Sequence, residues 1–233
     1  MTTVAKLADC IADALQVPRR AVGQYVSSMR KAGLFGIGPA TADYATNLLL
    51  GILASTNPKD APDAVRRVSG MRLIDVRVRH VTSAGVSSES VIKNIMDQGA
   101  LPACFLSPFG PFLSALIEDY QQGAHIGVEA RPTSLTISRH RPVAVIEFSA
   151  HPNFLGGVAL GEAVYAAPAD GDTQGALERG EWPPDTPACL PQLEVLAVIP
   201  GSVFEALADT LNEGEERALK SQQPAESAVA GGA

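Results

Sequence analysis

Residues that carry chemistry are scarce in this chain: three cysteines, four histidines and one tryptophan among 233 residues. Cys10, Cys104 and Cys189 are odd in number and far apart, and no pair has metal-ligand or redox spacing. Reduced, mostly buried thiols are expected. His80, His125, His140 and His151 lack the partners that zinc-site spacing requires, so surface or hairpin positions account for them. There is no G-x-S-x-G elbow, which removes the commonest serine hydrolase signature. GVALGEAVY contains Gly157 and Gly161 without G-x-G-x-x-G spacing and without a phosphate-loop lysine, and reads as strand glycines. Glu147 in VAVIEFS is followed four residues later by His151, a conceivable acid–base pair. A strand carboxylate facing solvent or an arginine is the simpler account. No catalytic residue, metal or cofactor is therefore assigned, and the chain is read as a non-enzyme.

Long apolar runs are also missing. The best candidate, LLLGILA from Leu48 to Ala54, is far short of the roughly 18 residues that span a bilayer and reads as a core helix. Asp9 and Asp13 interrupt any secretory-signal pattern at the N-terminus. No membrane association is expected, and a cytoplasmic protein is. Charge is present but uneven. The formal net charge is −7. Residues 1–80 hold eleven Lys and Arg against six Asp and Glu, or +5, whereas the remainder holds seven against nineteen, or −12. A basic interaction end joined to an acidic body follows from that asymmetry.

Apolar periodicity predicts the elements. Val4, Leu7, Ile11, Ala14 and Leu15 recur at three- and four-residue steps behind Thr3, a capping residue. After a turn at Val17 and Pro18, a second helix puts Val22, Tyr25, Val26 and Met29 on one stripe and stops at Gly33. A third helix follows Thr41, with Tyr44, Leu48, Leu49, Ile52 and Leu53 inward, and a short fourth lies in DAPDAVRRV. RLIDVRVRH alternates as a strand, HVTSAGVSS reads as a linker, and ESVIKNIMDQ and PFLSALIEDYQQ read as helices. Beyond His125 the period falls to two: TSLTIS, VAVIEFSA, GEAVYAAP and LEVLAVI are strand-like, with residues 139–142 turning the first into the second. Residues 169–191 form a long surface loop pinned by Trp182. A last helix starts at Ser202, whose spacing to Glu205 is that of a capping box. The small and charged tail after Glu213 is expected to be disordered.

One stretch, LADCIADALQVPRRAVGQYVSSMRKAGLF, holds the sharpest signal. Ile11, Ala12, Leu15, Val17, Val22 and Tyr25 sit at the spacings that two crossing helices bury, and Ala12 is small enough for close approach. The stretch resembles the helix-turn-helix of bacterial and phage regulators, particularly winged-helix forms. The resemblance spans about thirty residues and implies DNA binding by the second helix. Two departures stand out. Gln16 replaces the usual turn glycine, which is tolerable if its backbone avoids positive φ. FGIGPATA is too short and too uncharged for a basic wing, so phosphate contacts must come from elsewhere. With the inward stripe removed, Arg19, Arg20, Gly23, Gln24, Ser27, Ser28 and Lys31 face outward. Arg and Gln suit paired hydrogen bonds to guanine and adenine edges, Ser27, Ser28 and Lys31 suit phosphates, and Gly23 permits close approach. Arg66 and Arg67 are read as solvating the fourth helix.

The sequence thus predicts an α+β protein: a winged-helix-like DNA-binding domain over residues 1–80, an association domain of helices and a small antiparallel sheet over 88–213, and a tail over 214–233. The expected function is sequence-specific double-stranded DNA binding, as a transcriptional regulator or phage-type factor, by a homo-oligomer. A dimer is favoured because two half-sites multiply specificity. A phage packaging component resembling small terminase subunits, and a protein–protein adaptor that does not bind DNA, both stay open. The acidic part is the surface for any protein partner.

Overall fold

In the computed structural model, the described residues are 2–81, 87–91, 103–122, 130–139, 143–150, 159–167 and 196–222. Helices come first: α1 (Val4–Leu15), α2 (Arg19–Lys31), α3 (Ala42–Ala54) and α4 (Ala61–Ser69). Then follow strands β1 (Arg72–Val81) and β2 (Ser87–Val91), a single 3-10 turn (Ala103–Leu106) and α5 (Phe109–Gln121). Strands β3 (Ala130–Ser138), β4 (Val143–Ala150), β5 (Ala159–Ala166) and β6 (Leu196–Pro200) precede α6 (Ser202–Gln222). The expected α+β class is what the chain adopts. The strands form one antiparallel sheet in the order β2-β1-β5-β4-β3-β6, with the β3–β4 hairpin where the alternation placed it.

The helices cover one face of this sheet. Leu135 and Ile137 of β3, Ile146 and Phe148 of β4, Ala163 and Tyr165 of β5 and Ile199 of β6 are all buried, the two-residue period of a half-covered sheet. Phe105, Phe109 and Phe112 pack rings against Phe148 and Tyr165, and the Tyr165 hydroxyl donates to the Phe105 carbonyl at 3.0 Å. Gly161 lies opposite Phe148 in the ladder, and a Cβ there would overlap the Phe148 ring. That strand glycine is therefore the space in which a core aromatic lies. Pro132 sits beside a register shift in β3, where its missing N–H costs the ladder least.

At the centre is α3. Ten of its residues are buried, from Ala42, Ala45 and Thr46 to the unbroken run Leu48–Ala54. It packs against α1, α2, α4, α5, α6 and the β3 and β6 strands. A helix buried on all sides must satisfy its polar groups with protein. The Ser114 hydroxyl donates to Thr46 Oγ1 at 3.1 Å, Ser55 Oγ to the Gly51 carbonyl at 2.7 Å, Arg139 Nε to the Leu53 carbonyl at 3.0 Å, and the Tyr25 hydroxyl to the Ser55 carbonyl at 3.3 Å.

Three expectations change. ESVIKNIMDQ was assigned a helix, but Glu89, Ser90 and Val91 belong to strand β2, which pairs with β1. The register sets Glu89 opposite Arg79. Residues 92–98 lie outside the described set. The final helix runs on to Gln222 instead of giving way to coil after Glu213. The expected boundary at residue 80 falls inside β1, and one buried cluster takes in side chains from Val4 to Leu211. Contacts between α1 and α6 join the two parts: Thr2 Oγ1 donates to the Thr210 carbonyl at 2.7 Å, Cys10 Sγ to the Ala206 carbonyl at 3.4 Å, and Lys6 pairs with Glu213.

The α3–α5 hydroxyl pair provides a test. Thr46→Val strands the buried Ser114 hydroxyl and should lower unfolding free energy by about 1–2 kcal/mol, whereas Thr46→Val with Ser114→Ala should recover much of the loss. Urea denaturation of the two variants measures both, and equal losses in single and double variant would contradict the pairing.

Candidate nucleic-acid interface

Two similar turns shape the region. At the end of α2, the Leu34 N–H donates to the Met29 carbonyl and the Gly33 N–H to the Arg30 carbonyl, with Gly33 at φ +73°. At the end of α1, the Val17 N–H donates to the Ala12 carbonyl and the Gln16 N–H to the Asp13 carbonyl. Both are six-to-one and five-to-two Schellman closures. The second places Gln16 at φ 53° and ψ 37°, in the left-handed region. The condition that makes a glutamine tolerable at this turn, a backbone clear of positive φ, is not met. The physical reason is geometric: Val17 is half-buried against the core and only three residues separate Leu15 from the start of α2 at Arg19, so the closure is kept at the cost of a strained glutamine.

The turn delivers α2 with its outer face open. Val22, Tyr25, Val26 and Met29 are buried, as the stripe predicts. Arg19, Arg20, Gly23, Gln24, Ser27 and Lys31 are exposed and Ser28 is half-buried. No atom comes within 4 Å of where a Gly23 side chain would start. These residues share one uncovered ridge.

Their charges are not equivalent. Arg19 Nη2 donates to Asp13 Oδ2 at 3.0 Å, and Arg19 Nε lies 3.6 Å from Asp9 Oδ1. The hydrogen bond to Asp13, then the charges of Asp13 and Asp9, hold the guanidinium pKa above its ordinary value. Arg19 is thus engaged by two carboxylates of α1. Arg20 has no ion pair among the described residues. It sits at the positive end of the α2 dipole, where no acidic residue occupies the first turn and Pro18 provides no side-chain cap. A helix gains nothing for its own stability from a cation there, but an incoming anion meets both the cation and the free N–H groups.

A second cationic group adds Arg30, which the sequence reading does not assign, to Arg66 and Arg67, for which a second backbone contact is the less favoured of two readings. Arg30 is exposed on the last turn of α2 beside Lys31, and Arg66 and Arg67 are exposed on the last turn of α4. Arg66 Nη2 reaches the Ala32 carbonyl at 3.3 Å while Nη1 bonds Asp63 at 2.9 Å, so the ends of α2 and α4 adjoin. The signal was faint because Arg30 lies at the margin of the apolar stripe, and α4 was read alone. Arg67 fits its reading as a solvated residue, while Arg66 does more by capping α2.

Most of the other residues weighed as chemical candidates lie outside the described residues. Glu147 is exposed and accepts from Ser134 Oγ at 2.7 Å, while His151 lies outside the described residues, as do His125, His140, Trp182, Cys189 and Gly157. Burial raises the pKa of the Cys10 thiol above its usual range, which suits an unreactive sulfur. Among the described residues no three potential ligands cluster to hold a metal, and no helix is long and apolar enough to cross a membrane. Comparisons of the chain with protein-family models, curated proteins and solved structures gave no match.

Relief of the left-handed strain should be measurable. Gln16→Gly is expected to stabilise the protein by about 0.5–1 kcal/mol, the steric cost of a non-glycine αL residue less the added entropy of an unfolded glycine. Thermal denaturation would show a higher midpoint, and a lower one would mean that the Gln16 side chain contributes contacts exceeding the strain.

Proposed function

We propose that this protein binds double-stranded DNA in a sequence-specific manner through the outward face of α2, as a transcriptional regulator or phage-type DNA-binding factor. It works as a cytoplasmic homodimer, without a cofactor and without a catalytic step of its own. The observation that carries the reading is the uncovered ridge Arg20–Gln24–Ser27–Lys31 on a helix set by a three-residue turn. Arg20 and Gln24 supply the donors and acceptors that read base edges. Ser27, Ser28 and Lys31 hold phosphates, Gly23 lets the backbone approach, and Arg19 adds charge only as its pairing with Asp9 and Asp13 yields. Arg30 and Arg67 extend the phosphate contacts that the uncharged loop after α2 does not make.

A second reading, an adaptor whose helix pair docks a protein, draws on one specific observation. The first cation of the ridge is already paired with two carboxylates of α1, an arrangement that DNA binding does not need. A ring-forming packaging component of small-terminase type shares the DNA face and differs in subunit number, which sedimentation measures.

Titration against random and genomic duplex DNA at several salt concentrations separates these readings. Affinity should fall steeply with salt. Arg20→Ala should weaken a specific site by about 1–3 kcal/mol, and Lys31→Ala should weaken all sequences alike while reducing the salt slope by about one. If the parent shows no salt-dependent binding to duplex DNA, the adaptor reading replaces this one, and if a variant carrying both changes binds DNA as the parent does, the α2 face is not the site.

A further inference from the structure

We propose that the free edge of β6 is a docking surface for a second copy of this chain. The two β6 strands pair antiparallel about a two-fold axis at Val198 and join the two sheets. The inference rests on the homodimer of the proposed function, whose surface it names, and requires nothing of the DNA face.

The edge is open and unguarded. β6 ends the strand order and, among the described residues, is bonded to β3 alone. The Gly201 N–H donates to the Thr133 carbonyl at 2.9 Å, in line with the register that sets Leu135 against Ile199 and Ile137 against Ala197. Those are therefore the hydrogen-bonded pairs, and the peptide groups of Leu196, Val198 and Pro200 turn away from β3. The outer edge presents the N–H groups of Leu196 and Val198 with their carbonyls, while Pro200 offers a carbonyl and no N–H. Natural edges are blunted by lysines, inward charges or bulges. Here residues 196–201 hold no charged side chain and the register runs without a shift. The opposite edge, β2, carries Glu89.

Symmetry and charge identify the partner. With Val198 facing its own mate, each Val198 N–H donates to the other's carbonyl, and each Leu196 N–H meets the Pro200 carbonyl of the second copy. Every outward N–H group is satisfied, and Ala197 faces Ile199 of the second copy, small against large. An isologous contact needs such self-complementarity. Ala197 and Ile199 are buried on the helix side, so Val198 points to the other face, where it is 61% exposed. There it stands in one transverse row with Thr136 of β3, Val145 of β4 and Val164 of β5. Each is β-branched and uncharged, and the two-fold joins this row to its mate in the pairing that β-branched side chains favour. Two copies carrying −7 each repel over most of their surface and approach most readily on a strip without charge. Facing residues of a ladder point to the same side, so the axis is perpendicular to the sheet. Both helical layers, and both α2 helices, then lie on one side of the joined sheet, as two half-sites of one duplex require.

The test uses the full-length protein without DNA. Native mass spectrometry and sedimentation across a dilution series should give two subunits for the parent, and amide exchange at Val198 should slow as concentration rises. Val198→Lys changes an exposed position and sets two like charges face to face, so it should raise the dissociation constant about a hundredfold while circular dichroism stays that of the parent. Val198→Thr keeps a β-branched side chain and should keep the dimer. Arg20→Ala should also keep two subunits, because it alters the other surface. A parent that stays monomeric, a larger ring, or a dimer equally tight in Val198→Lys would overturn the interface. Salt-dependent DNA binding by a monomeric parent would leave the α2 face standing. A monomer that carries a bound foreign peptide would give the edge to another strand and also overturn the second copy.

Discussion

The structure is organised around a helix with no solvent side. Because α3 is buried from Ala42 to Ala54 apart from Asp43, Tyr44 and Asn47, every other layer must be placed to cover it. α1, α2 and α4 close it on one flank, α5 and α6 on another, and β3 and β6 approach it from the sheet. Gly51 lets α2 come close enough for the Met29 methyl group to fill the space a side chain would take. The same demand explains why polar groups from α2, α5 and Arg139, just after β3, converge on it: an unsatisfied buried carbonyl would cost more than any one of those hydrogen bonds contributes. The orientation of α2, and so of its ridge, follows from covering α3.

That constraint also explains which features were legible. The apolar stripes of α1 and α2, the caps at Thr3 and Thr41, and the alternation in β1, β3, β4 and β5 are local signals, and each element lies where its own residues placed it. The outward positions on α2 followed from the same periodicity. What stayed hidden was non-local. β2 is a strand because β1 offers it a ladder, and SSESV carries a helical or a strand pattern equally well. The joining of α1 to α6 through Thr2, Lys6 and Cys10 links residues about two hundred positions apart, and no window of sequence contains both partners. The absence of a boundary near residue 80 has the same cause.

Gln16 is a different kind of miss. Its type argues against positive φ, and an intrinsic preference of about 1–2 kcal/mol is real. Closing α1 against Val17, however, secures two backbone hydrogen bonds and the burial of apolar side chains on both helices. Tertiary packing outweighs the local preference, as it does wherever a turn is fixed by what lies on either side of it.

The acidity of the whole chain bears less on the proposed DNA face than it first suggests. At physiological salt, charges are screened over about 8 Å, so a phosphate at the α2 ridge responds to Arg20, Lys31 and their neighbours and hardly to a distant carboxylate. Asp9 and Asp13 both face Arg19, and that trio carries a net charge of −1 at the start of the ridge. A net charge of −7 nonetheless disfavours loose attachment to DNA by any other surface. The combination of one compact cationic strip and an acidic remainder reduces binding in wrong orientations more than binding through the strip. Under the proposed DNA-binding reading, discrimination comes from where the few cations of α2 stand, and the orientation of that helix follows from its packing on α3.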